Sequence, residues 1–338
     1  MWWSIDLTIF CWGIPVVRIY LFLVGLCLSA SQAQAQAAPP GFPSWAYVMN
    51  TLAPEPSIPD DGTLFKVPGS EAAFTRDQTR GPFVASDWHP DDHPAMPKVV
   101  AIGRKPTVWA CARCHRPNGS GGPENARIAG LPADYIVQQL KDMASGERST
   151  VMPKRVPQVL KQSFVNELTE DEMHEAANYF SRLKPRHTLV VKESATAPKT
   201  VNRGQFFAAS ADGLQEELGD RIVEVPEDLQ RFEVLHDDRV QFLVYVPPGS
   251  VAKGIALTRA PGGNSSLACA GCHGADFRGI GLIPSIAGLS PTYVVRQLWD
   301  IKVGARTGVS AQAMKPVVAS LSGQDMLALS AYLATLKP

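Results

Sequence analysis

Two short stretches of this chain hold residue types that could do chemistry together. The first is Cys111-Ala112-Arg113-Cys114-His115 and the second is Cys269-Ala270-Gly271-Cys272-His273. On a helix, cysteines three apart share one face, one turn apart. Their sulfurs can bond the two vinyl groups of a single porphyrin. The histidine that follows can swing its ring beneath the porphyrin plane and take an axial iron position. C-x-x-C-H is the attachment signature of a c-type haem. A bare C-x-x-C would also suit a thioredoxin-type redox pair or half of a zinc site. A redox pair needs no following histidine, and no βαβ pattern surrounds either copy. A zinc ribbon sets its two knuckles roughly 15–20 residues apart, and these two lie far beyond that. The motifs therefore predict two covalently bound haems c. Cys111, Cys114, Cys269 and Cys272 are the expected thioethers, and His115 and His273 the expected axial iron ligands.

An iron with histidine on one side leaves its other side to be explained. Methionine there raises the reduction potential and suits electron transfer, whereas an open position suits ligand binding or catalysis. In the second copy Met314 is the only methionine in the loop before the last helix, so it is the expected sixth ligand. Met326 sits inside that helix at a position shared with Met173, and both read as core. The first copy is different. The position of Met314 falls on Val156 or on Lys161, depending on where extra residues are placed. Met152, followed by Pro153, is the only methionine in that loop and is the expected ligand. Packing filler is the competing use of such a methionine. His187, a lysine or an open site would then complete the first iron.

The elements that must position these residues also come twice. A shift of 158 carries the first motif onto the second and Ala129-Gly130-Leu131 onto Ala287-Gly288-Leu289. The same shift pairs Tyr135, Gln139, Leu140, Gly146 and Arg148 with Tyr293, Gln297, Leu298, Gly304 and Arg306. The terminal helices match at a shift of 153, Met173 with Met326 and Tyr179 with Tyr332, so the first copy carries five extra residues in its sixth-ligand loop. Such duplication marks each copy as one haem-binding unit. Within the first copy, Pro132 opens a helix through Tyr135, Ile136, Leu140 and Met143. A last helix starts at Thr169, with Glu172 placed for a capping box.

These copies lie in a longer chain of 338 residues. Residues 1–37 read as an export signal: Arg18, an apolar run from Ile19 to Leu28, then small residues offering A-x-A cleavage sites at Ala33 to Ala37. A retained membrane anchor is the competing reading, since the longer stretch from Ile9 to Ala30 is nearly long enough to span. Residues 38–99, rich in Pro, Asp and Gly, read as an irregular extension over the first haem domain. Its Asp87-Trp88-His89-Pro90-Asp91-Asp92-His93 stretch, with Met96 nearby, could hold a metal or a spare haem ligand. Pro90 and Pro94 argue against one helix face presenting both histidines, and a solvated Pro-rich turn is the expectation. Residues 100–185 form the first haem domain. Residues 186–248 form a small β-rich insert, with strands expected at Leu189–Val191, Arg221–Val225 and Gln241–Val246. Either a spacer setting the haem–haem geometry or a docking surface would explain it. Residues 249–338 form the second haem domain. Six cysteines are present; Cys11 and Cys27 fall in the signal and the other four belong to the motifs, leaving none for a structural disulfide. The 32 basic and 32 acidic residues cancel, which excludes the basic footprint of a nucleic-acid binder.

The order C-x-x-C-H, Ala-Gly-Leu before a Tyr…Gln-Leu helix, Gly-x-Arg, a methionine loop and a terminal helix carrying a tyrosine resembles class I cytochrome c. It is most similar to dihaem cytochromes of the c4 type, over residues 100–185 and 250–338. The resemblance implies a mainly α fold with two all-helical haem domains, here joined by the β-rich insert. It also implies His/Met-ligated low-spin haems, with His115 and His273 proximal and Met152 and Met314 distal. One-electron transfer in the bacterial periplasm follows. The expected role is a non-enzymatic carrier between a donor dehydrogenase or quinol-oxidising complex and a terminal oxidase or reductase, with a membrane-associated partner allowed. A haem-bearing subunit of a dehydrogenase complex is the nearer alternative. A haem enzyme or sensor with an open sixth site on the first haem is the more distant one.

Overall fold

The computed structural model describes residues 41–49, 59–264 and 268–338. The export signal expected at 1–37, with Cys11 and Cys27, lies outside the described residues. No helix among the described residues is long and apolar enough to cross a membrane.

The first half is helical. Short helices α1 (Arg76–Arg80) and α2 (Lys98–Ala101) precede α3 (Cys111–His115), which carries the first motif. Then come α4 (Ala133–Ala144), α5 (Val156–Val165) and α6 (Glu170–Ser181). Thr169 caps α6 as its sequence predicts. Its hydroxyl accepts from the Glu172 amide at 3.2 Å, and the Glu172 carboxylate accepts from the Thr169 amide at 3.0 Å. The apolar faces of α4 and α6 meet in a core of Ile136, Val137, Ala177 and Phe180, which α2 joins through Val99 and Val100.

A β-rich insert follows. Strands β1 (Leu189–Glu193), β2 (Thr196–Pro198), β3 (Thr200–Asn202), β4 (Phe207–Ala209), β5 (Gln215–Glu217), β6 (Val223–Pro226) and β7 (Phe242–Val246) form three small sheets. The largest has the order β1-β7-β6, with β1 parallel and β6 antiparallel to β7. Val244 and Val246 pack against Leu327, Ala331 and Ala334 of the last helix. On its other side the insert touches the first copy. Arg116 stacks 4.9 Å from the Phe232 ring centroid and donates to the Phe232 carbonyl, while Asn118 donates to the Asp238 carbonyl at 3.2 Å. The insert is thus wedged between the two helical copies.

The second copy contains α7 (Ser250–Arg259), α8 (Ala270–His273) with the second motif, α9 (Pro291–Lys302), α10 (Val309–Gln312), α11 (Lys315–Ala319) and α12 (Gly323–Thr335). α12 is buried along most of its length, Met326 and Ala331 completely, and packs on α7, α9 and β1. Gly254 makes the α7 crossing: a Cβ there would run into the Ala328 carbonyl and the Tyr332 side chain. Gly254→Val is therefore expected to cost about 1–3 kcal/mol, the usual penalty for overpacking. A thermal melt of the holoprotein that does not move would contradict this packing.

The extension departs from expectation in two places. Residues 41–49 lie against the second copy as well as the first, where Arg155 sits 5.8 Å from the Tyr47 ring centroid and donates to the Val48 carbonyl. Ala46 and Tyr47 pack with Val295 and Trp299, and the Tyr47 hydroxyl donates to Asp300 at 3.0 Å. The stretch expected as a solvated turn is also partly core. His89 is buried, with its Nε2 3.5 Å from Asp237 of the insert, and Trp88 donates to the Leu235 carbonyl at 2.7 Å. His93 pairs with Asp87 at 3.1 Å. Burial pushes the His93 pKa down, but the Asp87 carboxylate and the Pro94 carbonyl outweigh it, and the net shift is upward. A folded-state pKa above the unfolded value of about 6.5 stabilises the fold fully below that pH. The contribution is lost as pH rises through the raised value. Asp87→Asn is expected to bring the His93 pKa down, measured by NMR titration of the reduced protein; an unchanged titration would mean Asp87 does not hold it.

Candidate functional site

Each motif sits on its own short helix and is followed by a loop that repeats bond for bond. The chain leaves α3 at Arg116 with φ 65° and leaves α8 at Gly274 with φ 83°. Glycine takes that conformation freely, whereas Arg116 is held in it by the contacts to Phe232. Gly121 then donates to the His115 carbonyl at 3.0 Å, and Gly279 to the His273 carbonyl at 2.8 Å. Both glycines have positive φ, and a Cβ on either would strike a carbonyl across its turn. Gly130 donates to Phe180, and Gly288 to Leu333, tying each loop to its terminal helix.

These loops fix the two imidazoles. His115 Nδ1 lies 2.8 Å from the Ala126 carbonyl, and His273 Nδ1 lies 2.8 Å from the Pro284 carbonyl. A carbonyl only accepts, so each Nδ1 carries the proton and each Nε2 keeps its lone pair. Burial holds His115 neutral, its pKa pushed down to about 4, and lowers that of His273 as well. A neutral ring with Nε2 free and Nδ1 tied to a carbonyl is the form that ligates a metal. The thiols behave differently from those of a redox pair. Burial, with the neighbouring Cys114, pushes Cys111 up to about 12, and burial raises Cys269 too. Both shifts run opposite to the lowered pKa that thiolate chemistry needs.

Both motifs open onto one continuous cavity of about 700 Å³, within the usual range for a ligand site. Its walls are mostly apolar, including Ile136, Leu140 and Phe180 in the first copy and Leu298, Leu329 and Leu333 in the second. Where the copies meet, Arg148 and Arg306 line it. Arg148 donates to Gln139 at 2.8 Å and to the Tyr293 hydroxyl at 2.9 Å; Arg306 donates to Gln297 and to Gln139, each at 2.9 Å. Neither guanidinium has a carboxylate ion-pair partner among the described residues, and Arg306 Nε is buried without a hydrogen bond. Buried cations of this kind call for an anionic group. An apolar macrocycle with carboxylate tails, fixed by two sulfurs and an imidazole, fits this cavity.

The expected sixth ligands do not fare alike. Met314 lines the cavity, at the start of α11. Met152 does not. It packs with Val151 against the core of the second copy, beside Val295 and Trp299. The loop around it is anchored there: Thr150 and the Val151 amide both donate to Asp300, and Arg155 pairs with Glu124 at 2.6 Å. His187 is also absent from the cavity wall; its Nε2 is 3.5 Å from the Ala334 carbonyl. The cavity side chains that sequence reasoning left unassigned include Lys161 and Met143.

Two helical copies, each bearing C-x-x-C-H beneath an apolar cavity, define a dihaem c-type cytochrome. The chain belongs to the cytochrome c family and carries covalently bound haem c. The cytochrome c family profile matches residues 262–337. Cytochrome c-554(547) of Halothiobacillus neapolitanus is 40% identical over 77 residues, 20% of this chain and 85% of that protein. Cytochrome c4 of Azotobacter vinelandii is 24% identical over 228 residues, 66% of this chain and 82% of that protein. A protein of Thiomonas intermedia named thiosulfate dehydrogenase electron acceptor is 26% identical over 232 residues, 68% and 79% respectively.

Proposed function

We propose that this protein is a periplasmic carrier that takes single electrons from a donor dehydrogenase or quinol-oxidising complex and passes them to a terminal acceptor. The observation that carries the reading is the pair of imidazoles with Nε2 free, each beneath its own cysteine pair and both facing one cavity. In this reading Cys111 and Cys114 hold one haem and Cys269 and Cys272 the other, with His115 and His273 as axial ligands. Each bound haem supplies a one-electron couple. The chain's own residues do the rest. The carbonyls of Ala126 and Pro284 hold the imidazoles in orientation. Apolar walls exclude water, and Arg148 and Arg306 offset negative charge where the copies meet.

The two sites differ in their access to a partner. At the first motif, Gly122 lies under the Phe232 ring of the insert. The matching position in the second copy is Ile280, 57% exposed, with Leu282 beside it at 63%. Cys272 is exposed as well. A small apolar rim around one exposed edge suits a brief docking contact, so exchange with a partner is assigned to the second haem. The relative named as an electron acceptor of a dehydrogenase supports the donor side of this reading. The subunit alternative differs in permanence only, and co-purification of a catalytic chain would select it. Carbon monoxide tests the carrier role against the enzyme or sensor role. A carrier with both irons six-coordinate leaves the reduced spectrum unchanged under the gas, whereas a stoichiometric shift at either haem would overturn the reading.

A further inference from the structure

Lys161 stands in the first copy where Met314 stands in the second. α5 turns Pro157, Leu160, Lys161, Phe164 and Val165 towards the cavity, the spacing of a single helical face. A shift of 153 carries the first four onto Ser310, Ala313, Met314 and Val317, and all four of those line the cavity too. The next member of the stripe, Leu168, falls on Leu321, which also lines it. The two walls therefore match at these five positions, with lysine in the place of methionine.

The same comparison locates the five extra residues. Arg148 and Arg306 still face one another across the contact between copies, at a shift of 158. The shift has become 153 by Pro157. The insertion therefore lies between Arg148 and Pro157, the segment that holds Met152 and carries it to the far core. Met143 also lines the cavity, but its counterpart at a shift of 158 is Ile301, a wall residue that cannot bind iron. The Lys161 amine has no hydrogen bond or ion pair among the described residues. The carboxylate that acts on it, Glu124, is already engaged by Arg155 at 2.6 Å and Arg296 at 3.4 Å.

We propose that Lys161 supplies the sixth ligand of the iron held by His115, so that the protein carries one His/Lys and one His/Met haem. The inference rests on haem attachment at Cys111 and Cys114. The amine binds as a neutral donor, its nitrogen lone pair forming the bond to iron and its proton passing to solvent. An amine is a harder donor than a thioether and favours ferric over ferrous iron. The first haem is then the lower-potential member of the pair, and an electron on the chain rests at the second, where the exposed rim lies.

The test is the spectrum of the oxidised holoprotein, by EPR and near-infrared magnetic circular dichroism, with the haem count taken from its intact mass. Two low-spin haems are expected, with only one sulfur-to-iron charge-transfer band between them. Lys161→Met is expected to double that band and raise the lower potential. Lys161→Ala is expected to give one high-spin haem, while Met152→Leu leaves every signal in place. Two sulfur-to-iron bands in the unaltered protein, or an unchanged spectrum in Lys161→Ala, would overturn the assignment alone. A mass lacking haem at Cys111 and Cys114 would overturn the attachment and the ligand together.

Discussion

Met314→Ala is expected to lower the potential of one haem by on the order of 100 mV or more, a modest part of the about 0.8 V that axial ligands span. The other couple should stay in place. Among the described residues Met314 is the methionine that lines the cavity in the second copy, between α10 and α11, and like Leu298 it packs at the edge of a buried core. Its thioether is a soft donor that favours the ferrous state. If Met314 is the sixth ligand, an iron bound there would be left high-spin or open to water in the variant. Fold stability should fall far less than potential, because only a partly buried side chain is trimmed. A potential that does not move on Met314→Ala would remove this residue from the coordination sphere.

Replacing Cys269 and Cys272 together with alanine is expected to leave one covalent haem on each chain in place of two, read by intact mass and by the pyridine haemochrome. The remaining haem should keep its own couple. α8 spans only Ala270–His273, too short to hold itself together without a partner. Cys269 and Ala270 pack against Leu289, Val294 and Leu333, and a haem bound there would extend that contact to the rest of the α9–α12 core. Loss of that contact should lower the melting temperature further than Gly254→Val. A double variant still carrying two covalent haems would show that the second motif is not an attachment site.

Much of the site is legible in the sequence because its chemistry is local. Two sulfurs and one imidazole within five residues need no fold to be recognised, and the capping box at Thr169 depends only on Glu172 three residues on. The repeat supplies the helices around each motif for the same reason. What escapes the sequence depends on partners far along the chain. His89 reads as part of a solvated turn, because the Asp237 that covers it lies in the insert. Trp45–Tyr47 gives no sign that it packs on α9 of the second copy. Met152 is the instructive case. Residue type favours it, while two registers compete for the counterpart of Met314, and only the cavity-facing stripe of α5 separates them. Lys161 is present in the sequence at one of those registers, and the structure adds the face on which it points.

A potentiometric titration of the purified holoprotein, followed at the haem absorbance, reads out whether this chain is a two-haem electron carrier. Two electrons are expected per chain, taken up in two separate one-electron steps, the lower from the first haem and the higher from the second. A single one-electron step, or uptake that continues only while a substrate is consumed, would contradict it.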